Sequence, residues 1–299
     1  MTPQPAMCIR FLAKAGLVMS HGAFQKVAAA LVALFLATMA TAGAASEKKV
    51  WDAIAPGLEY ATFRGGSGLE KESGGELNVL RISPDKASFK LLTASEKNLD
   101  GLALRDWVRQ FDLDAAINAS MFWKDQRTST GFMKNFEHVN NQAIHPDFGA
   151  FFVFNPKSPD LKPVRLIDRT KEPNWRTIIS RYHSVVQNYR MIGADGESVW
   201  QPSEETYSVA AIAMDRQDRV LFIFRQAPQS IHRLNQVLLE LPLNVVSCMF
   251  VEGGPTAGMY IQTKRFEQGW RGVSDNSFWV EKPGTLFKVP NVIGVQARP

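Results

Sequence analysis

Along most of the chain, short apolar runs alternate with clusters of Gly, Pro, Asn, Asp and Ser, the pattern of strands separated by turns. Glu76 to Ile82 and Ser88 to Ala94 flank Ser83-Pro84-Asp85-Lys86, which reads as a hairpin turn with Pro at its second position. Ser208 to Met214 and Arg219 to Phe224 flank Asp215-Arg216-Gln217-Asp218 and carry β-branched and aromatic residues on both arms, a stronger hairpin signal. Further strands are expected over Ala115 to Asn118, Ala150 to Phe154, Val185 to Met191, Val245 to Val251 and Val292 to Ala297. Helical spacing is scarcer. Leu102 to Phe111 places Leu104, Trp107, Val108 and Phe111 on one face, and Ser230 to Leu241 does the same with Ile231, Leu234, Leu238 and Leu241. Ser230 is suited to cap that second helix and Pro242 to stop it. The expectation is one strand-rich α+β domain, a mixed sheet carrying two principal helices, over residues 45–299.

The first 44 residues break this pattern. Lys26 precedes a charge-free apolar stretch from Val27 to Ala40, then small residues at Ala42 and Ala44, the grammar of a cleavable signal peptide. The stretch is shorter than the roughly 20 residues that span a bilayer, so a stable membrane anchor is disfavoured. Met19 would open a more compact signal. The sequence therefore predicts an exported protein, periplasmic or extracellular. Removal of the signal takes Arg10, Lys14 and Lys26 and no acid, lowering the formal charge from +5 to +2. A nearly neutral chain without a basic stripe argues against a nucleic-acid partner. Cys8 leaves with the signal, and Cys248, inside the apolar run Val245 to Val251, is expected to be buried and inert.

Three segments carry candidate chemistry. In Ile117-Asn118-Ala119-Ser120-Met121-Phe122-Trp123, Asn118 is either a turn-capping amide or a ligand contact. The aromatic pair that follows is either core or a platform for a sugar ring. In Ser180 to Met191, a period of two would put Arg181, His183, Val185, Gln187 and Tyr189 on one strand face. That face is either the lining of a solvated pocket or the wet side of a sheet. In Val251-Glu252-Gly253-Gly254-Pro255-Thr256, an apolar strand delivers a carboxylate to a Gly-Gly turn whose N–H groups can approach a ligand closely. The turn is not a P-loop, which would end in Gly-Lys-Ser/Thr. The histidines show no metal-ligand spacing, and no nucleophile elbow is present. No cofactor is called for, although a divalent ion held by oxygens from separate loops would leave no short motif.

Taken in order, these segments resemble the phosphodiester glycosidase domain family, in which a strand ends Asn-Gly-Gly-Phe-Phe, a Gln-bearing strand and a hairpin follow, and a later strand ends Asp-Gly-Gly-Gly-Ser. The corresponding stretches here are Asn118 to Phe122, Val186 to Tyr189, Val209 to Phe224, and Val251 to Thr256. The resemblance spans about Val79 to Gln296. Ala119 and Ser120 stand in place of the glycine pair, Glu252 in place of Asp and Pro255 in place of the third Gly, and no Arg lies near Tyr207-Ser208 where the family would place one.

The resemblance implies an exported hydrolase in which water cleaves the bond between a sugar's anomeric carbon and a phosphodiester oxygen, acting on a carbohydrate or glycosyl-phosphate substrate of envelope glycans. Phosphate is a good leaving group, so cationic or N–H donors for phosphate and one carboxylate would suffice. In that scheme Glu252 and His183 are the catalytic candidates. The Gly253 and Gly254 amides with Arg181 or Lys134 would bind phosphate, while Asn118, Phe122, Gln187, Tyr189 and Thr256 complete the substrate-binding set. The rival reading is a non-catalytic glycan-binding protein of the same fold.

Overall fold

In a computed structural model the described residues are 50–64, 75–273 and 287–298. The expected signal segment lies outside them, as does Gly65 to Gly68, whose Gly-Gly-Ser-Gly is only superficially like a nucleophile elbow. Three antiparallel sheets share one core. The first runs, in spatial order, β1 (Asp52–Ala55), β2 (Leu58–Phe63), β3 (Leu77–Ile82), β13 (Val220–Gln229), β12 (Tyr207–Asp215), β14 (Val245–Gly253) and β11 (Arg190–Ile192). The second is β7 (His138–Asn141), β6 (Met133–Asn135), β10 (Tyr182–Asn188), β8 (Ala150–Pro156) and β9 (Val164–Asp168). The third is β16 (Glu267–Arg271), β15 (Gly258–Gln262), β5 (Ala115–Asn118), β17 (Asn291–Ala297) and β4 (Ala87–Thr93).

Each sheet turns one face inward. Ile212, Phe222 and Met249 from the first, Phe152 and Val186 from the second, and Leu91, Ile117 and Ile293 from the third form a single buried cluster. Each outer face is covered by a helix. Helix α4 (Ile231–Glu240) lays Ile231, Leu234, Val237 and Leu238 over the first sheet, each side chain contributing roughly 1.5–3 kcal/mol by burial. Ser230 caps it, accepting from the Arg233 N–H. Helix α2 (Leu104–Gln110) packs Trp107 and Val108 on the third sheet, and the short α3 (Trp175–Ser180) packs Trp175 and Ile179 on the second. A fourth helix, α1 (Ala94–Lys97), follows β4 directly, capped by Thr93.

The strand-rich α+β domain is thus as expected, with the anticipated sheet divided into three whose described pairings are all antiparallel. The hairpin at Asp215–Asp218 forms, its turn held by Asp215 Oδ1, which accepts from the N–H groups of Gln217 and Arg219. The hairpin at Ser83–Lys86 does not. The turn exists, with Lys86 N–H on the Ser83 carbonyl at 3.0 Å, but β3 is already paired on both edges by β2 and β13, so β4 crosses to the third sheet and pairs with β17. The single strand expected over Val185 to Met191 is two, broken at Tyr189, where the chain leaves the second sheet for the edge of the first. Cys248 is buried and its thiol pKa is pushed far up by desolvation. No helix among the described residues is long and apolar enough to cross a membrane.

Candidate active site

One end of the shared core gathers the strand termini that matter. Beyond β14 the chain makes a short 3-10 turn over Gly254–Thr256 and returns as β15, which pairs with β5. The C-terminal ends of β5, β10 and β14 and the start of β17 therefore meet at one rim. Along β14, Met249 and Val251 enter the shared core, whereas Cys248 and Phe250 pack under α4. Strict alternation would send Glu252 outward with the latter pair. The register against β12 shifts, however, so that Phe250 faces Ala211 but Glu252 faces Ala210, a core residue. The extra residue of this β-bulge turns the Glu252 carboxyl to the core side, a use that bulges commonly serve beside active sites.

There Glu252 is only 6% exposed. Its Oε1 accepts from the Gly253 N–H at 3.1 Å, and its Oε2 has no hydrogen-bond partner. Desolvation pushes its pKa from an ordinary 4.5 up to about 7, against the opposing pull of the Gly253 N–H and of the nearby Thr256 hydroxyl, which itself donates to the Gly253 carbonyl at 3.4 Å. A carboxyl poised near neutrality can exchange a proton with a reacting group. The turn beside it is tightly built. A Cβ on Gly253 would lie 2.9 Å from the Phe250 ring and 3.0 Å from Tyr207, while Gly254 has φ +67° and open space around it. Asn118 clamps the far side, its Nδ2 donating to the Thr256 carbonyl at 3.0 Å and its Oδ1 accepting from Gly258 N–H at 2.7 Å.

Two asparagines missed by the sequence reading complete the rim. Asn188 shares the inward face of β10 with Val186, and its Nδ2 donates to the Val251 carbonyl, one peptide from Glu252. Asn291 sits at the start of β17, is 1% exposed, and accepts from Ser120 N–H at 2.9 Å while its own Nδ2 has no partner. Asn188 lies next to the expected Gln187, so the signal was present and the face was misassigned by one residue. Nothing in the local sequence marks Asn291.

Other expected residues are placed elsewhere. Gln187 points to the outer side of its sheet, where its amide is consumed by the backbone of Phe132, His145 and Phe148. Tyr189 packs between Phe148 and Trp200. His183 stacks on Phe136 at 4.7 Å and Arg181 pairs with Asp160 at 3.1 Å, both at the opposite end of β10. Five residues of extended chain, about 17 Å, separate His183 from Asn188, so neither it nor Arg181 is brought to Glu252. Lys134, opposite Val185, faces the outer side as well. Phe122 lies half-buried in the loop after β5, bridged to Ser129, with Trp123 exposed beside it.

Cations reach the turn by other routes. Pro255, Thr256 and Gly258 border a cleft of about 480 Å³ whose walls carry Arg105, Arg109 and Arg271 together with Trp270. Arg109 is held by Glu267 at 3.0 Å. Although no arginine stands near Tyr207, the second arm of the hairpin delivers the buried Arg225 opposite Val209, its Nη1 donating to the Gly75 carbonyl. Among the described residues no group of three or more His, Cys, Asp or Glu side chains is placed to hold a metal ion.

Fold and site together define a strand-rich α+β domain of three sheets with the buried Glu252 carboxyl turned to the rim of its core. The family model for phosphodiester glycosidase matches residues 111–296, and the chain belongs to that family. The catalytic domain of zebrafish N-acetylglucosamine-1-phosphodiester alpha-N-acetylglucosaminidase, auto-inhibited by its pro-peptide, is similar in fold: TM-score 0.54 at 10% identity, over 83% of this chain and 86% of that one. A hypothetical protein from Synechocystis is similar over 81% of this chain and 62% of its own, with TM-score 0.53 at 14% identity. At such identities the likeness is one of fold alone. No curated protein matches the sequence significantly.

Proposed function

We propose that the mature chain is an exported hydrolase of glycosyl phosphodiesters in envelope glycan metabolism, with Glu252 as its catalytic carboxylate. The observation that carries this reading is the bulge-directed, buried carboxyl with one oxygen left without a partner. A native fold rarely leaves such a group unsatisfied without a use for it. In the reaction, Glu252 as carboxylate takes a proton from water as the water oxygen bonds to the anomeric carbon. The bond from that carbon to the phosphodiester oxygen breaks, and its electron pair stays on phosphate. Because phosphate leaves without protonation, one carboxylate is enough, where most glycosidases need two. The Gly254 amide and the arginines of the adjoining cleft are assigned to the phosphate side, and the Phe122–Trp123 loop to the sugar. Asn118 and Asn188 are assigned to holding the turn and the Val251 peptide rather than the substrate. The uncharged stretch Val27 to Ala40, with the small residues behind it, supports export.

The test is to incubate the purified mature chain with a sugar-1-phosphodiester and measure free sugar, for the native protein and for Glu252→Gln. Release by the native chain and its loss in the variant is the expected result. Equal release by both would sink the assignment of Glu252, and binding of envelope glycan without any release would favour the non-catalytic reading.

A further inference from the structure

The residues that failed to join Glu252 lead to a second place on the molecule. On the outer face of the second sheet, between β6, β10 and α3, lies a cleft of about 360 Å³, within the range of about 300–1,000 Å³ usual for ligand pockets. Its floor is apolar, built from Trp175, Ile179, Val185 and Ile144. Lys134, Lys157 and Arg176 stand around it, and no Asp or Glu lines it.

These three cations differ from those nearby. Arg165 pairs with Glu172, Arg181 with Asp160 at 3.1 Å, and Lys162 with Asp218 at 2.8 Å. Lys134, Lys157 and Arg176 form no ion pair among the described residues, and Arg176 instead lies over the Trp175 ring at 4.1 Å. Three like charges converging on one concavity repel one another, and an anion placed among them removes that repulsion. The apolar floor fits the flat face of a sugar ring.

We propose that this cleft is a second, non-catalytic binding site for an acidic oligosaccharide, a chain carrying carboxylate or phosphate groups. It lies on the face of the second sheet opposite the shared core and does not rest on Glu252 being catalytic. Its role is to hold a polymeric glycan on the protein independently of turnover.

The test is calorimetric titration of the native mature chain with tetragalacturonate, with a phosphorylated dextran oligomer, and with a neutral tetrasaccharide. Binding of at least one acidic probe, weakened by salt and absent for the neutral one, is expected. Lys157→Glu with Arg176→Glu, two exposed positions, is expected to weaken it by at least about tenfold without moving the melting midpoint. Which acidic probe binds distinguishes a carboxylated from a phosphorylated chain. Equal affinity for neutral and acidic sugars, unchanged affinity in the double variant, or binding only to anionic vesicles would overturn the proposal. A native chain that binds but releases no sugar would refute the proposed hydrolysis and leave this site standing.

Discussion

The inward face of β10 carries polar residues at both ends, and they are treated differently. At its N-terminal end Ser184 donates to Asn135 Oδ1 at 2.7 Å and accepts from Asn155 Nδ2 at 2.9 Å, while Asn135 Nδ2 sits 3.2 Å from both Glu96 oxygens. That network is closed. At the C-terminal end Asn188 reaches the Val251 carbonyl, but Glu252 Oε2 and Asn291 Nδ2 have no partner. Ser184 and Asn135 are buried as Asn188, Glu252 and Asn291 are, while Glu96 and Asn155, which complete the first network, are partly exposed. The difference is completeness, and it separates a network that specifies the fold from a rim that holds capacity for a ligand.

Three substitutions and a pH profile would sharpen or break that contrast. Glu252→Gln is expected to lower sugar release about 10²- to 10⁴-fold, the range for loss of a general base. The native chain should lose activity below an apparent pKa of about 7, and a profile flat through that region would contradict the role given to Glu252. Next is stability. A carboxyl whose pKa is raised on folding binds its proton more tightly in the native state, so the contribution of Glu252 to stability is greatest below about pH 4.5 and is lost as pH rises through about 7. Above that range the cost is about 3 kcal/mol. Denaturant unfolding should therefore find Glu252→Gln more stable than the native chain at pH 8 and about equal at pH 4, and a variant that is weaker at pH 8 would show the carboxylate to be structural.

Asn118→Ala removes both bonds that clamp the turn, and a loss of about 2 kcal/mol in unfolding free energy is expected together with reduced sugar release. Full turnover in that variant would mean that the turn needs no clamp. The smallest effect belongs to the closed network. Ser184→Ala should cost about 1 kcal/mol, seen as a lower melting midpoint, and should leave turnover unchanged. If it slowed hydrolysis as much as Asn118→Ala, the two ends would not be functionally distinct.

The features legible in the sequence were those with a local cause. Helices α2 and α4 followed from the spacing of Leu104, Trp107 and Val108 and of Ile231, Leu234 and Leu238, with Ser230 as cap. The β12–β13 hairpin followed from a polar turn between two β-branched arms. The Gly-Gly turn after Glu252 was visible as residue types that few structures other than a close backbone turn require. Strands β1, β2, β6, β7, β9, β15 and β16 and helices α1 and α3 were missed, because each is short or mixed in polarity and is held mainly by its neighbours.

What the sequence by itself determined, then, is the inventory: a strand-rich domain, its two main helices, a carboxylate before a glycine pair, and a family resemblance carried by motif order. Only the tertiary structure decided which of those side chains meet. A period of two assigns residues to alternate faces but cannot say which face is the core. On β10 the alternation runs unbroken from Ser184 through Asn188 with the even-numbered residues inward, whereas on β14 a bulge before Glu252 shifts it by one. The choice of the even face as the core side put Asn188 rather than Gln187 toward the site, and the bulge brought Glu252 inside. Both depend on pairing with strands distant in sequence, β8 for one and β12 for the other, and so are not contained in the local pattern of either segment.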